Sequence, residues 1–376
     1  MRDDAVRDDA VRDDAVLGGP VGDDAAAGGL PDASIGRVAV VGLGLIGGSL
    51  ARLLTLRGVD VVATDVLAAS REAARRTGLA VADDVAACVE GAGLVVLAVP
   101  LRTMTVVAEQ VAAHAPAGAT VTDVGSVKAP VRESVVAAGL GDRYVGAHPM
   151  SGTEHSGFEA SDADLLDQVA WAVTVGDQDG VDADRLAQVL ALVTGPCRGR
   201  ATVLTDDVHD EAAALVSHVP HVLATQLLNA ATGAPVARVA QVLAAGSFRD
   251  GTRVAYTDPA RTEAMVTANA AWVAPALRKV VRDLEAVVRD LEANGAAHEF
   301  FHAADPARAA RRAGSVRAPG PDAHPVQDAG LSQDAQGPDA GSVVPREEGW
   351  PAVLVRRCLQ GAFVVEVSAT HARLAA

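Results

Sequence analysis

Between residues 35 and 200, apolar residues come in short unbroken runs, each followed by a stretch with helical spacing. The first run, Val38-Ala39-Val40-Val41, stops at Gly42-Leu43-Gly44-Leu45-Ile46-Gly47. Leu50, Ala51, Leu53 and Leu54 then recur at the period of a buried helix face. Val59 to Asp65 is a second run that ends in an acid, and Leu94 to Val99 is a third that Pro100 stops. The third run is continuous, as a strand buried on both faces of a parallel sheet is, and the first two read as strands beside it. A helix over about Thr105 to His114 leads to a further strand, Thr120 to Val124, and the loop Gly125-Ser126-Val127-Lys128. Tyr144 to Ala147 and Val169 to Val175 complete the set. Strands alternating with helices predict a doubly wound α/β domain, with ligands at the carboxyl ends of the strands.

From about Asp206 the period changes to that of helices. Ala212, Ala213, Leu215 and Val216, then Val219, Val222, Leu223 and Leu227, lie at helical spacing, and Pro220 predicts a kink. A loop is expected over Gly246 to Pro259, then a long helix from Arg261 to about Ala297. Val280, Val281, Leu284, Val287, Val288 and Leu291 form an apolar seam along it. The seam is either ordinary bundle core or a face for a second copy of the chain.

The two ends carry no such pattern. Residues 1–34 open with Arg-Asp-Asp-Ala-Val at a five-residue period, which suits neither helix nor strand burial, and read as a disordered acidic leader. Ala303 to Glu348 is rich in Ala, Pro, Gly, Asp and Gln and reads as linker. Trp350 to Val367 is long enough for a strand or two. The expected organisation is therefore a leader over 1–34, a Rossmann-type domain over 35–200, an all-α domain over 201–302, and a linker with a short tail over 303–376.

Composition narrows the function. The net charge of −16 argues against a nucleic-acid partner, since phosphate binding needs concentrated Lys and Arg. The core must be built from Ala, Val and Leu, because only 3% of residues are aromatic. Three widely spaced cysteines, Cys88, Cys197 and Cys358, suit neither a disulfide framework nor a zinc site and point to a reducing compartment. The N-terminus lacks the basic-then-apolar order of a signal peptide, and no apolar run is long enough to span a membrane. A cytoplasmic location without membrane contact is expected.

The glycines after Val41 have the order G-x-G-x-x-G between a strand and a helix, the context of a dinucleotide-binding turn. Gly42 would make the turn, and Gly44, with the amides of Leu45 and Ile46, would meet a pyrophosphate at the helix N-terminus. Gly47 would let helix and strand pack closely. Asp65 stands 18 residues past Gly47, where a carboxylate accepts hydrogen bonds from an adenosine ribose and repels a 2′-phosphate. NAD is therefore favoured over NADP; the other reading of Asp65 is a cap on the helix that follows. Val99, Pro100 and Ser126 lie at strand ends where the cofactor should sit.

His148 and Ser126 share that edge, and a histidine can serve as a base near neutral pH. The helical half adds His209, Ser217, His218 and His221. His218 and His221 have the spacing of a metal pair, but no third ligand supports them and no metal is expected. Arg249 and Arg253 either grip a carboxylate or are surface charge. From these residues alone the chain reads as an NAD-dependent oxidoreductase with a His base and an anionic small-molecule substrate.

Taken together, five segments resemble the prephenate/arogenate dehydrogenase family of tyrosine biosynthesis. They are Val-Gly-Leu-Gly-Leu-Ile-Gly-Gly-Ser-Leu (41–50), Asp-Val-Gly-Ser-Val-Lys (123–128), His-Pro-Met-Ser-Gly-Thr-Glu (148–154), Ser-His-Val-Pro-His (217–221) and Phe-Arg-Asp-Gly-Thr-Arg-Val-Ala (248–255). The resemblance implies an oxidative decarboxylation of prephenate to 4-hydroxyphenylpyruvate, with hydride passing to NAD⁺. It implies that His148 is the base, that Ser126 orients it, and that Arg253 holds a substrate carboxylate. Thr153, Glu154, His218, Gly246 and Asp250 would complete the pocket, partly across a homodimer interface of the helical domain. Arogenate is the rival substrate, and Glu154 could pair with its ammonium group. A cofactor-binding regulator without activity is the reading from another class; the presence of Ser126, His148 and Arg253 argues against it. Many relatives carry an aromatic residue shortly after the Asp-Pro of the 248–262 segment, where Ala260, Arg261 and Thr262 stand here. The difference bears on substrate preference.

Overall fold

The computed structural model describes residues 35–176, 181–312 and 341–376. The leader over 1–34 and the larger part of the 303–348 stretch lie outside the described residues.

Strands β1 (Val38–Val41), β2 (Val61–Thr64), β3 (Leu94–Leu97) and β4 (Thr120–Asp123) form a parallel sheet in the order β2-β1-β3-β4. The unbroken apolar runs have a direct explanation here. Val38 and Val40 face one buried cluster while Ala39 and Val41 face another, and Leu94 and Val96 alternate in the same way with Val95 and Leu97. Both faces of these two central strands are covered, so both sets of alternate positions in them are apolar.

The chain then leaves this sheet for a second one. The Val145 amide donates to the Val121 carbonyl at 3.0 Å. Beyond that point β5 (Gly146–Pro149), β6 (Ala170–Val175) and β7 (Arg200–Thr205) pair with one another, β5 antiparallel and β7 parallel to β6. The wholly parallel sheet expected from the alternation therefore covers only the first four strands. His148, expected in a loop, is the third residue of strand β5.

The C-terminal segment departs furthest from expectation. Within the stretch read as linker and short tail, β8 (Val343–Pro345), the helix Trp350–Cys358, β9 (Phe363–Val367) and β10 (His371–Ala375) are all folded. They extend the second sheet to the order β5-β6-β7-β9-β10-β8. Trp350, Leu354, Val364, Val367 and Leu374 are buried in the cluster that also holds Trp171 and Leu190. The expectation failed because the segment has no core of its own; it borrows one from the nucleotide-binding half.

The helical half starts with Asp206–Ala213, passes through a single π-helical turn, Ala214–His218, and continues as Val219–Gly233. The wide turn sits just before Pro220 and spreads the kink over one extra residue, the usual way a proline is absorbed within a helix. The expected loop over Gly246 to Pro259 is instead helical, as Gly246–Thr252 and a 3₁₀ turn, Arg253–Tyr256. The expected single long helix is two, Pro259–Ala268 and Ala270–Glu292, meeting at the buried Asn269. The helices His298–His302 and Asp305–Arg312 follow, the second within the expected linker. No described helix is long and apolar enough to cross a membrane.

Candidate active site

The glycine turn is built for a ligand that comes close to the backbone. Gly42 has φ +111°, and a Cβ there would lie 2.3 Å from the Ala98 carbonyl oxygen. A Cβ on Gly47 would lie 2.0 Å from the Gly42 carbonyl, so helix and turn could not pack as they do. On Gly44 it would meet nothing within 4 Å. Gly44 thus opens onto free space at the N-terminus of the helix Leu45–Leu56, where no side chain caps the first amides. Free amides at a helix N-terminus fit a pyrophosphate.

Asp65, just past β2, accepts the Leu43 amide at 2.7 Å on one carboxylate oxygen and the Leu67 amide at 2.8 Å on the other. It ties the end of β2 to the glycine turn, and the following helix, Ala68–Arg76, has no side-chain cap. That geometry leaves lone pairs for ribose hydroxyls at the turn. Val99 and Pro100 follow β3 beside the same turn, and Val99 Cγ1 would be 3.1 Å from a Cβ on Gly42.

Across the sheet end lies a second, denser group. Asp123 closes β4 fully buried, accepting Tyr144 Oη at 2.8 Å, the Gly125 amide at 2.8 Å and the Ala147 amide at 3.2 Å. It also pairs with the buried Lys128 ammonium, which donates to the Ala147 carbonyl at 2.6 Å. A buried ion pair survives only when its remaining lone pairs and protons are satisfied, as here. Both backbone groups of Ala147 are therefore fixed, and the next residue, His148, has no freedom to slide.

His148 Nδ1 faces His209 Nε2 at 3.0 Å, and His209 Nδ1 faces the Asp210 carboxylate at 2.8 Å. Asp210 also accepts the backbone amides of Lys128 at 2.7 Å and Ala129 at 2.9 Å, where the helix Ala129–Ala137 begins. Burial opposes its charge, but His209 and those two amides together hold its carboxyl below the usual range. Burial, His209, Lys128 and His218 hold the His148 imidazole well below the usual histidine range, so it is neutral and free to accept a proton at pH 7. Asn269 Nδ2 donates to the Asp210 backbone carbonyl at 2.8 Å and reaches His218 Nδ1 at 2.9 Å. Since Nδ1 accepts there, neutral His218 carries its proton on Nε2, which is buried with no partner. Burial brings His218 down to about 4, with Asp210 opposing and His221 and His209 assisting. An unpaired buried N–H costs roughly 1–3 kcal/mol unless a ligand oxygen meets it.

The structure brings together His148 and His218 among the residues singled out from sequence. Ser126 sits half-buried in the loop after β4, and the partner of His148 is His209 rather than Ser126. Arg253, Gly246 and Asp250 are exposed on the Gly246–Tyr256 segment, which packs on the helix Val219–Gly233. Among the described residues none of them is bonded to His148. Thr153 accepts the His155 amide at 3.3 Å, and Glu154 lies exposed beside His155. The missed residues are Asp123, Lys128, Asp210 and Asn269, with His209 noted but given no role. A His-Asp pair in the first turns of a helix was the available signal, and nothing in its spacing says that it is buried. Among the described residues, no group of His, Cys, Asp and Glu is placed to hold a metal ion.

Comparison with known proteins converges on one family. Residues 50–215 match the prephenate dehydrogenase nucleotide-binding domain, and residues 205–303 match the prephenate dehydrogenase dimerization domain. A cyclohexadienyl dehydrogenase of Zymomonas mobilis is 34% identical over 262 residues, covering 66% of this chain and 86% of that protein. The crystal structure of prephenate dehydrogenase from Aquifex aeolicus with hydroxyphenyl propionate and NAD⁺ has a TM-score of 0.65 at 28% identity, covering 74% of this chain and 98% of the other. Synechocystis arogenate dehydrogenase has a TM-score of 0.63 at 26% identity, covering 73% and 99%. With a Rossmann-type half, a helical half and a relative this similar over most of its length, the chain belongs to the prephenate dehydrogenase family of oxidoreductases.

Proposed function

We propose that the protein catalyses the NAD⁺-dependent oxidative decarboxylation of prephenate to 4-hydroxyphenylpyruvate in tyrosine biosynthesis, as a homodimer. The observation that carries this reading is the neutral, backbone-fixed His148, with His218 and its unpartnered Nε2–H acting on it, at the same end of the sheet as a glycine turn shaped for a pyrophosphate.

Gly42, Gly44, Leu45, Ile46, Gly47, Asp65, Val99, Pro100 and Ser126 would hold the dinucleotide, with its pyrophosphate on the helix amides and its ribose on Asp65. A dinucleotide held there would supply the acceptor for the hydride from C4 of the cyclohexadienyl ring. His148 accepts the proton of the C4 hydroxyl, and loss of the ring carboxylate as CO₂ leaves an aromatic product. Aromatisation supplies the driving force, so the protein contributes a base, orientation and a dry polar pocket. His218 Nε2–H gives a substrate oxygen a buried donor. Arg253 would supply the charge for a carboxylate, with Thr153, Glu154, Gly246 and Asp250 around it.

Arogenate is a second reading, since the exposed Glu154 carboxylate suits its ammonium group and the Synechocystis relative is an arogenate dehydrogenase. Turnover assays with each substrate, each in NAD⁺ and NADP⁺, separate the readings. Prephenate with NAD⁺ is expected to give the highest kcat/KM; turnover of neither substrate rejects both. His148→Asn is expected to lower kcat on the order of a hundredfold or more with KM little changed.

A further inference from the structure

The His209–Asp210 pair has no part in the reaction as written above, yet it is buried and held from several directions. Both side chains are buried, at 3% and 1% exposure. Asp210 receives two backbone amides from the start of one helix while its own carbonyl receives Asn269 from another. Surface ion pairs do not need this support.

The order of donors along the row can be worked out. A carboxylate only accepts, so His209 carries its proton on Nδ1 and offers a lone pair on Nε2. His148 Nδ1, 3.0 Å away, must then be the N–H, which leaves the lone pair of His148 on Nε2. The titratable groups facing His148 are His209, Lys128 and His218, and the same three face Asp210, which also accepts the Lys128 and Ala129 amides. None of them reverses that order.

We propose that His209 and Asp210 are positioning residues that fix the tautomer of His148 and accept the charge it acquires. The substrate hydroxyl proton moves to His148 Nε2. The proton on His148 Nδ1 passes to His209 Nε2, and His209 becomes an imidazolium paired with the Asp210 carboxylate. One proton enters the row and none is lost: His148 ends neutral, protonated on Nε2 and bare on Nδ1. His148 alone is a poor place for a positive charge, with Lys128 beside it and little water; His209 sits against an anion. The inference rests on His148 being the base.

Two measurements test it. In the ¹⁵N-histidine-labelled full-length protein, long-range ¹H–¹⁵N spectra near neutral pH should show His148 protonated on Nδ1 only, with its resonances identified by comparison with His148→Asn. A wild-type His148 protonated on Nε2 overturns the proposal, whatever the variants do. Kinetically, His209→Phe should lower kcat on the order of a hundredfold with KM within a few-fold, and shift the acid limb of the kcat–pH profile. His209→Gln, whose amide oxygen can accept from His148 but cannot take up a proton, should keep the Nδ1 tautomer and recover part of the rate. A folded His209→Phe with wild-type kcat and pH profile overturns the relay. Should His209→Phe not fold, the wild-type spectrum and the Gln variant decide. If the wild type keeps the Nδ1 tautomer but oxidises neither prephenate nor arogenate, the functional reading fails and the hydrogen-bond row stands.

Discussion

The two halves of this chain bury apolar surface in opposite ways. In the nucleotide-binding half both faces of the parallel sheet are sealed, and the large side chains Trp171, Tyr144, Leu94, Leu97 and Met104 are almost wholly removed from water. In the helical half the buried apolar cluster consists of three residues, Ala214, Val219 and Val273. Its helices instead expose Leu215, Val216, Val242, Leu243, Val281, Leu284 and Val288. One half is a self-sufficient domain. The other leaves apolar side chains exposed along several helices, and contiguous apolar surface of this kind marks an interaction site. The match of residues 205–303 to a dimerization domain supports the occupant proposed above, a second copy of the chain.

Breaking the interface is the sharpest way to test that contrast. Val281, Leu284 and Val288 line one shallow apolar groove on the helix Ala270–Glu292, with Glu285 and Arg289 at its sides. Leu284 and Val288 are about half exposed in the single chain, at 47% and 51%. Charged side chains there meet water in the monomer and cost nothing until a partner covers them. Leu284→Asp with Val288→Asp is expected to weaken self-association by roughly a hundredfold or more, since each buried, unpaired charge costs several kcal/mol. Light scattering after size exclusion should show the mass falling to that of one chain, with nucleotide binding retained. An unchanged mass would mean that the seam is not the contact.

The tail offers the complementary test, because it belongs to the sealed half. Trp350 is 2% exposed, under the Arg346 guanidinium and within the same cluster as Trp171 and Leu190. Trp350→Ala removes a large buried ring and is expected to cost about 3–5 kcal/mol. The loss should appear as a lower urea midpoint, while the mass seen by light scattering stays that of the wild type. A wild-type midpoint would show that the segment contributes nothing to the fold in solution.

What the sequence could and could not say follows the same division. Strands β1 and β3 were legible because burial on both faces leaves an unbroken apolar run, and the glycine turn because each glycine has its own steric reason. The tail was not, since Val364, Val367 and Leu374 pack on residues more than 150 positions away, and no local period reports such a partner. The break at Asn269 was hidden for a similar reason. An asparagine inside a helical pattern looks like a surface residue until its amide is seen reaching Asp210 and His218. His148 and His218 could be picked out by type and setting. The residues that hold them, Asp123, Lys128, His209 and Asp210, are ordinary polar residues whose significance lies in being buried together. Charges at such spacings are usually on the surface, and nothing in one sequence says otherwise.

The seam between the two halves is where the buried polar groups collect, and it should make the protein sensitive to acid. His218 titrates at about 4 in the folded chain against 6.5 unfolded, faced by Asp210, His209, His221 and the neutral Asn269. Above pH 6.5 it is neutral in both states and contributes nothing to the pH dependence. Between 6.5 and 4 the unfolded chain takes up a proton that the folded chain refuses, so stability falls as pH falls, by roughly 3 kcal/mol at most. Below 4 both states are charged and this contribution levels off. His148, also lowered, acts in the same sense within its own window, and Asp210 does so below the ordinary carboxylate range. Urea midpoints measured from pH 8 to pH 4 should therefore drop, and His218→Gln should flatten part of that drop while leaving the His148 contribution in place. The slope is the informative quantity, because the variant can also shift stability uniformly by disturbing Asn269. A slope unchanged by His218→Gln would place the acid sensitivity in groups other than His218, with His148 the next to test.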